Sequence, residues 1–522
     1  MQKQIMTVFL LAISIAFSSC GNKVTKKLST EDLRDKIAGG WAGKMIGVTY
    51  GGPTEFRATG KTYDKELMWT PDQVKGALSQ DDLYVQMSFM MAMDKYGMDA
   101  PAEKFAESFA NAGYRLWCAN VTARKNFFDG IMPPNSGHPK YNLWADAIDF
   151  QIEADYIGFM SPGMPQTSNQ ICDKIGHIMN YGDGVYGGMF VSALYTQAFF
   201  DKDMNSIIKN ALKAIPAESD YAKCIQDVID LHTKYPDDWR KAWNAFQEKW
   251  GNTDISVPFQ PFNIDAKING SYIVMGLLYG DGDFAKTMEI TIRCGQDSDC
   301  NPSNAAAVLG VRDGYTTIPD EWKSGIPEIA DSLFIYTDYS FNKVVDNTLK
   351  YAKELIQANG GKIEDGMVYI KRQLPKAPEK VEVSFPGIKP LYPVDLKDPK
   401  WTWKGNWKEV TRGWQNQTLK VTEQKNAEAS LTFEGTGILL TGAWDRDGGK
   451  ADIYLDDQLV RTIDTYYWVA NAGFTGAYLY HVLDLSNSEH TIRMVLNGEK
   501  NQKATGAKIY IGGAVVYGTA QK

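Results

Sequence analysis

The segment Gly39-Gly40-Trp41-Ala42-Gly43-Lys44-Met45-Ile46-Gly47 decides the architecture of most of the chain. Its small residues recur at helical spacing, which allows a second helix to pack closely against the first. Upstream, Thr30-Glu31-Asp32-Leu33 is typical of a helix start with a capping residue. Downstream, Gly51-Gly52-Pro53-Thr54-Glu55-Phe56 predicts a turn that presents Glu55. Taken alone, tight helix packing with a solvated Glu55 explains this pattern most simply.

The helical period continues well beyond this segment. Apolar residues at helical spacing predict further helices over residues 83–95, 102–111, 203–215, 222–234, 238–250 and 343–359. Regular strand alternation is scarce in the same region. The sequence therefore predicts one large α-helical domain over residues 31–374.

The period changes to two near the C-terminus. Residues 451–455, 459–463, 490–496 and 507–511 alternate apolar and polar side chains, with turn signals between them. Five prolines between Pro375 and Pro393 predict an extended connector over residues 375–399. The last segment, residues 400–522, is thus predicted to be a β-sandwich, and it resembles the jelly-roll modules that accompany carbohydrate enzymes. Its aromatic residues suit either sugar stacking or a sandwich core.

Composition excludes some classes of partner. The chain has 522 residues and a net charge of −8, whereas a sequence-independent nucleic-acid binder needs a cationic face. No apolar run is long enough to span a bilayer as a mature helix. We therefore expect no nucleic-acid partner, and contact with a membrane only through an N-terminal lipid anchor.

The N-terminus has the pattern of a targeting segment. Residues 1–19 combine a short positive start with an apolar run, and Cys20 follows two serines, as in a bacterial lipoprotein signal. Cys20 is then the lipidated first residue of the mature protein and residues 20–30 its tether; an ordinary signal peptide with an incidental cysteine is the alternative. Either pattern predicts export, and the first predicts anchoring on the periplasmic side or at the cell surface.

Two acidic motifs lie far apart in the chain, each ahead of an apolar helix. Asp81-Asp82 places two carboxylates side by side, and Asp297-Ser298-Asp299 turns two carboxylates the same way, as hard divalent cations require. Together they predict one oxygen-ligand site for Mg²⁺ or Mn²⁺. For Asp81-Asp82 alone, helix capping by one carboxylate with solvation of the other remains an equal alternative. The cysteines of the mature chain form no CxxC pair, so a zinc site built on paired thiolates is not indicated.

These pieces in this order resemble the ADP-ribosylglycohydrolase family over roughly residues 30–360. The segment from Gly47 to Phe56 is similar to the opening signature of that family, the Asp81-Asp82 pair to its Thr-Asp-Asp motif, and Asp297-Ser298-Asp299 to its late Asp-x-Asp motif. The resemblance implies an all-α domain that holds two Mg²⁺ or Mn²⁺ ions on the hydroxyls of a ribose and cleaves at its anomeric carbon. It implies Glu55 as the acid/base residue and, as metal ligands, Asp81, Asp82, Asp297 and Asp299, with Gln80 a weaker candidate.

Three positions depart from the family pattern. Val48 replaces a common acidic residue, Gln80 replaces threonine, and Cys300 stands where serine or threonine usually ligates. A thiol is a soft ligand and suits Mg²⁺ poorly. We therefore expect this chain to share the fold and the metal site of the family more closely than its specificity for ADP-ribose.

Other polar residues are weaker candidates. His177 and Asp183 lie in a glycine-rich segment that permits close backbone approach, so they could line the substrate cleft, although a buried histidine and a turn aspartate are simpler explanations. The same holds for Glu153 and Asp155.

Three functions remain open on the sequence alone. The first is a metal-dependent glycoside hydrolase that acts on a furanosyl-type or related sugar outside the cytoplasm. The second is a true ADP-ribosyl hydrolase, and the third a catalytically decayed, lipid-anchored glycan-binding protein. The substrate is accordingly expected to be a carbohydrate or an ADP-ribosyl group.

Overall fold

The computed structural model describes residues 24–413, 416–469 and 473–519. The predicted signal peptide and Cys20 lie outside the described residues. The helices are α1 Thr30–Gly51, α2 Asp81–Tyr96, α3 Ala102–Asn111, α4 Cys118–Phe128, α5 Asp149–Glu153, α6 Asp155–Phe159, α7 Pro165–Gly176, α8 Gly182–Ala198, α9 Met204–Leu212, α10 Asp220–Lys234, α11 Trp239–Trp250, α12 Ala266–Tyr279, α13 Phe284–Arg293, α14 Cys300–Asp313, α15 Asp320–Lys323, α16 Ile326–Ile329 and α17 Phe341–Ala358. Within the described ranges, no helix is long and apolar enough to cross a membrane.

The glycine-rich segment forms the central helix α1, which packs antiparallel against α14. A Cβ atom on Gly43 would lie 2.4 Å from the backbone oxygen of Ala306, and one on Gly47 would lie 2.4 Å from that of Pro302. The two backbones therefore touch, and no larger residue fits at either glycine. Because the helices run in opposite directions, the C-terminal end of α1 meets the N-terminal end of α14.

The all-α prediction for the first domain is confirmed. The six further predicted helices correspond to α2, α3, α9, α10, α11 and α17. Helix α1 begins where predicted, capped by the Ser29 hydroxyl, which accepts a hydrogen bond from the Asp32 amide at 2.8 Å. The sequence did not predict helices α8 and α12, because nearly all their residues are buried and no polar face marks the helical period.

Fourteen strands are found in the described residues. They are β1 Thr25–Ser29, β2 Lys362–Glu364, β3 Met367–Lys371, β4 Ile388–Val394, β5 Trp401–Lys404, β6 Lys408–Arg412, β7 Gln417–Thr422, β8 Glu428–Gly435, β9 Gly437–Trp444, β10 Gly449–Leu455, β11 Gln458–Asp464, β12 Phe474–Val482, β13 Ser488–Lys500 and β14 Ile509–Thr519. The first three form a small sheet of order β1-β3-β2 beside the helices. The others form two antiparallel sheets, β11-β10-β13-β8-β5 and β12-β9-β14-β7-β6.

The Pro-rich segment 375–399, predicted as a connector, contains strand β4. This strand pairs antiparallel with β14, from Ile388 opposite Thr519 to Val394 opposite Ala514. Pro390 and Pro393 are tolerated in β4 because it is an added strand at the sheet margin, where not every amide needs a partner. Regular structure of the C-terminal domain thus begins before residue 400.

The β-domain packs directly on the helical domain. Tyr478 of β12 stacks on Trp144, with ring centroids 4.8 Å apart and an angle of 9° between the rings. The Tyr517 hydroxyl donates a hydrogen bond to the carbonyl of Ile255 at 3.0 Å, and His481 Nε2 donates one to the carbonyl of Pro139 at 2.6 Å. This interface holds the loops that lead into α5 and α12.

Candidate active site

Glu55 reaches the two acidic motifs because α1 and α14 are antiparallel. It follows the short 3₁₀ turn Gly52–Thr54 at the end of α1. The hydroxyls of Thr54 and Ser298 lie 2.7 Å apart, and the Phe56 amide donates to the carbonyl of Gln296 at 3.1 Å, so this turn is fastened to the Asp-x-Asp loop. Glu55 remains accessible to solvent at the mouth of the cluster.

The carboxyl group of Glu55 is surrounded by other acidic groups. Desolvation by the neighbouring protein, followed by repulsion from Asp299, Asp81 and Asp82, raises its pKa to about 8. A carboxylic acid with such a pKa holds its proton near neutral pH. This is the state required of a general acid.

Asp82 lies at the start of α2 and is fully buried. Its Oδ2 accepts a hydrogen bond from Lys44 Nζ at 3.2 Å, and its Oδ1 lies 3.0 Å from Cys300 Sγ. Lys44 also pairs with Asp155 at 2.8 Å and donates to the carbonyl of Ile152 at 2.9 Å. Burial opposes the charge on Lys44, but attraction to Asp155 and Asp82 outweighs it and raises the Lys44 pKa above its ordinary value. A permanent cation is therefore built into the floor of the site.

The side chains of Asp297, Asp299 and Cys300 form the second part of the cluster. They are 3%, 4% and 6% exposed, and one donor atom from each lies within 4.8 Å of the others. Burial raises the pKa of both aspartates, that of Asp297 to about 8. Among the described residues, Oδ1 of Asp297 and Oδ1 of Asp299 find no hydrogen-bond partner. Buried, unpartnered carboxylate oxygens fit a divalent cation, whereas the sulfur among them does not suit Mg²⁺.

Sequence reasoning missed Asp149 and gave little weight to Glu153, yet both lie beside Asp81. Asp149 accepts hydrogen bonds from the amides of Ala119 and Asn120, at 3.3 and 2.9 Å, at the start of α4. Burial raises the pKa of Asp149 to about 7, although these hydrogen bonds act to lower it, and repulsion from Asp81 also raises it. Glu153 is 1% exposed and its Oε2 has no partner. Carboxylates at positions 149, 153 and 155 in an otherwise apolar stretch were the signal that could have revealed them.

Gln80 lies next to the cluster, but His177 and Asp183 lie elsewhere. Gln80 precedes α2, and its side chain makes no capping hydrogen bond. His177 binds the Glu382 carboxylate at 3.0 Å through Nε2, so it joins α7 to the connector. Asp183 lines a different cavity of about 470 Å³, together with Lys267 and residues 382–390. The structure therefore places His177 and Asp183 away from the acidic cluster, and their part in substrate binding stays a prediction.

Residues with left-handed backbone conformations gather around the acidic cluster. Phe56, Cys118, Gln296 and Tyr336 have φ angles of 51°, 43°, 57° and 63°. Bulky residues rarely adopt such angles, and the strain they store is typical of functional sites. Tyr336 is 54% exposed, and its ring packs edge-on against that of Tyr84, 5.4 Å away, one turn after Asp81.

This arrangement places Glu55 beside a group of buried carboxylates on the helical domain. Residues 29–359 match the family model described as ADP-ribosylglycohydrolase, and the chain belongs to that family.

Individual relatives match shorter stretches. A 122-residue segment is 33% identical to an "A type blood alpha-D-galactosamine galactosaminidase" of Flavonifractor plautii, and a 108-residue segment is 31% identical to an "A type blood N-acetyl-alpha-D-galactosamine deacetylase" of the same organism. These segments cover 22% and 20% of this chain but only 11% and 14% of the relatives. A solved "ADP-ribosylglycohydrolase-related protein complex" is similar at 11% identity and a TM-score of 0.43, over 62% of this chain and 98% of the other.

Proposed function

We propose that this protein is a metal-dependent glycoside hydrolase that cleaves a furanosyl-type or related sugar outside the cytoplasm. The observation that carries the proposal is the position of Glu55, at the solvent-accessible mouth of a cluster that contains Asp81, Asp82 and Asp299. A glycosidase needs an acid for the leaving group and a polar floor that stabilises an oxocarbenium-like state. In this proposal Glu55 is the acid, and the buried carboxylates beside it form the polar floor.

Glu55 supplies the proton in this mechanism. Burial is the largest cause of its raised pKa and favours the protonated acid, which donates to the glycosidic oxygen as the bond breaks. The resulting carboxylate then accepts a proton from the attacking water. The carboxylates of Asp297 and Asp299 would hold a divalent cation, which would supply positive charge to orient substrate hydroxyls and to polarise water.

Lys44, Asp82 and Asp155 keep the floor of the site rigid. All three side chains are fully buried, and the Asp155 carboxylate also accepts a hydrogen bond from Asn304 at 2.9 Å. Because these groups already satisfy one another, they need no rearrangement when the substrate binds. Preorganised charges of this kind stabilise a transition state more effectively than water does.

Aromatic residues beside the cluster suit a sugar. Trp117 is 50% exposed immediately before α4, whose first amides hold Asp149, and Tyr336 is 54% exposed above Tyr84. Flat, half-exposed rings of this kind stack on the apolar face of a sugar. The predicted export and lipid anchor add to the proposal, since a lipoprotein meets external glycans rather than cytoplasmic ADP-ribosylated proteins.

Product release by the purified mature protein tests the proposal. The panel comprises furanosides, pyranosides including an α-galactosaminide, and ADP-ribosyl substrates, each with Mg²⁺, Mn²⁺ or Zn²⁺ and with a chelator. We expect metal-dependent release of a simple sugar, and Glu55→Gln should lower kcat by roughly 10²- to 10⁴-fold. The matched control is Glu103→Gln, since Glu103 lies exposed on α3.

Other outcomes would change the assignment. Release of ADP-ribose would move the protein to the second function, true ADP-ribosyl hydrolysis. Full activity in Glu55→Gln would remove Glu55 from the catalytic role. Sugar binding without turnover in any metal would favour the glycan-binding protein.

A further inference from the structure

Cys300 brings a sulfur atom into the set of buried metal donors. One atom each of Asp297, Asp299 and Cys300 lies within 4.8 Å of the others, and all three residues are at most 6% exposed. Two donors 2.0–2.3 Å from one ion can be at most about 4.6 Å apart. The three atoms therefore lie close enough for a small adjustment to place them on one ion.

The rest of the site favours an ion with few ligands. Mg²⁺ prefers six oxygen ligands in a near-ideal octahedron, several of them usually waters, and it binds sulfur poorly. Asp82, which the family pattern offers as a further ligand, has its Oδ2 engaged by Lys44 at 3.2 Å, and its Oδ1 is the atom that faces Cys300. The oxygens left without partners in the Asp-x-Asp loop are Oδ1 of Asp297 and Oδ1 of Asp299. Two carboxylates and one sulfur match a tetrahedral centre with one open position much better than an octahedron.

Cys300 and Asp299 are held next to each other at the start of one helix. Cys300 is the first residue of α14, a helix of 14 residues, and Asp299 occupies the N-cap. The Cys300 thiol lies 3.0 Å from Asp82 Oδ1, which accepts its hydrogen bond, so its sulfur faces the carboxylates of the cluster.

We infer that the metal centre of this protein takes a borderline-soft divalent ion, with Zn²⁺ as its best match, bound by Asp297, Asp299 and Cys300 with a fourth position open. The inference rests on the proposed function only in that the same carboxylates serve both. When the ion binds, the Sγ–H bond of Cys300 breaks, a bond from Sγ to the metal forms, and the proton passes to solvent. This differs from the two Mg²⁺ or Mn²⁺ ions that the family resemblance implies.

Co²⁺, which replaces Zn²⁺ and absorbs light, tests the inference on the chelator-stripped mature protein. We expect one equivalent of Co²⁺ to produce a near-ultraviolet thiolate-to-metal charge-transfer band, which Zn²⁺ abolishes and excess Mg²⁺ does not. Cys300→Ser should lose the band and bind Zn²⁺ at least about 100-fold more weakly, because changes to groups that only hydrogen-bond a metal ligand already cost about 10- to 100-fold in affinity. Cys172→Ser is the matched control, since Cys172 is buried between α7 and α8 and its thiol contacts Ser192. It should keep both the band and the affinity.

The outcomes separate this inference from the proposed function. A wild-type protein without the band, or a Cys300→Ser variant that retains it, would overturn the thiolate ligand. Tighter binding of Mg²⁺ than of Zn²⁺ would overturn the choice of metal, and hydrolysis with Mg²⁺ would then leave the glycosidase proposal standing. If the charge-transfer band behaves as expected but the protein hydrolyses no substrate of the panel, the metal centre would be upheld and the glycosidase proposal would fail. Should Cys300→Ser fail to fold, Cys300→Ala provides the same comparison.

Discussion

Replacing Lys44 by methionine tests whether the buried cation holds the acidic floor together. Methionine retains nearly the same length and volume but removes the ammonium group that pairs with Asp155 at 2.8 Å and with Asp82 at 3.2 Å. Removing one partner of a buried ion pair typically costs 3–5 kcal/mol, because the remaining charge is left uncompensated. With two carboxylates dependent on one ammonium, we expect Lys44→Met to lose at least about 4 kcal/mol of unfolding free energy.

Urea unfolding at pH 7 in the presence of a chelator, followed by tryptophan fluorescence, measures this loss. Lys104→Met is the matched control: Lys104 forms an exposed pair with Glu107 on α3, so its loss should change the stability very little compared with Lys44→Met. The double variant Lys44→Met/Asp155→Asn removes one stranded charge and should regain about 1–3 kcal/mol relative to Lys44→Met.

Two results would refute the reasoning. If Lys44→Met loses less than about 1 kcal/mol, the carboxylates are neutral in the folded protein and need no internal cation. If the double variant is no more stable than Lys44→Met, Asp155 is not the group whose charge Lys44 balances.

Three other predictions concern the fold, the rim of the site and the domain interface. Gly43→Ala places a Cβ atom 2.4 Å from the Ala306 carbonyl oxygen, so the free energy of unfolding measured with urea should fall by about 3 kcal/mol or more. An unchanged free energy of unfolding would mean that α1 and α14 lie further apart. Tyr336→Gly relieves a left-handed backbone conformation but removes a stacking surface, so the free energy of unfolding should change by less than about 1 kcal/mol. The KM for the sugar substrate should rise roughly tenfold with little change in kcat. An unchanged KM would remove Tyr336 from substrate binding. Burial lowers the pKa of His481 to about 4 from 6.5, so the unfolded state binds a proton first as pH falls, and about 3 kcal/mol of the stability present above pH 6.5 is lost toward pH 4. Because the raised pKa values of buried carboxylates act in the opposite direction over this range, the measurement is the difference in urea midpoint between the wild type and His481→Asn. This difference should change between pH 7 and pH 4, and a constant difference would contradict the role of His481.

Part of the site could be predicted because its motifs are local. Asp81-Asp82 and Asp297-Ser298-Asp299 each precede a helix, and helix starts can be recognised from neighbouring residues. Their convergence was an expectation that the resemblance supported. The weak candidates His177 and Asp183 came from a glycine-rich pattern, and such a pattern does not indicate which distant segment covers it.

The role of Lys44 shows what could not be predicted. In the sequence it is one charged residue in a glycine-rich helix, where exposure to solvent would be the ordinary outcome. In the structure it is fully buried, because α1 is surrounded on all sides and α2 and α6 each bring a carboxylate to it. Cys300 is a similar case, because only the tertiary structure shows that its sulfur lies beside the carboxylates with which it is proposed to bind a metal ion.

The sequence by itself determined the helical domain, the change to β-structure after residue 375, the family and the local acidic motifs. Each of these depends on side-chain periodicity or on residues only a few positions apart, and such patterns can be recognised in the sequence without knowledge of the fold. Only the tertiary structure decided that Glu55 faces Asp299, that Asp149 and Glu153 join the cluster, and that β12 and β14 brace the loops beneath it. These contacts join segments up to several hundred residues apart, and they arise because α1 and α14 can touch only where glycine leaves room.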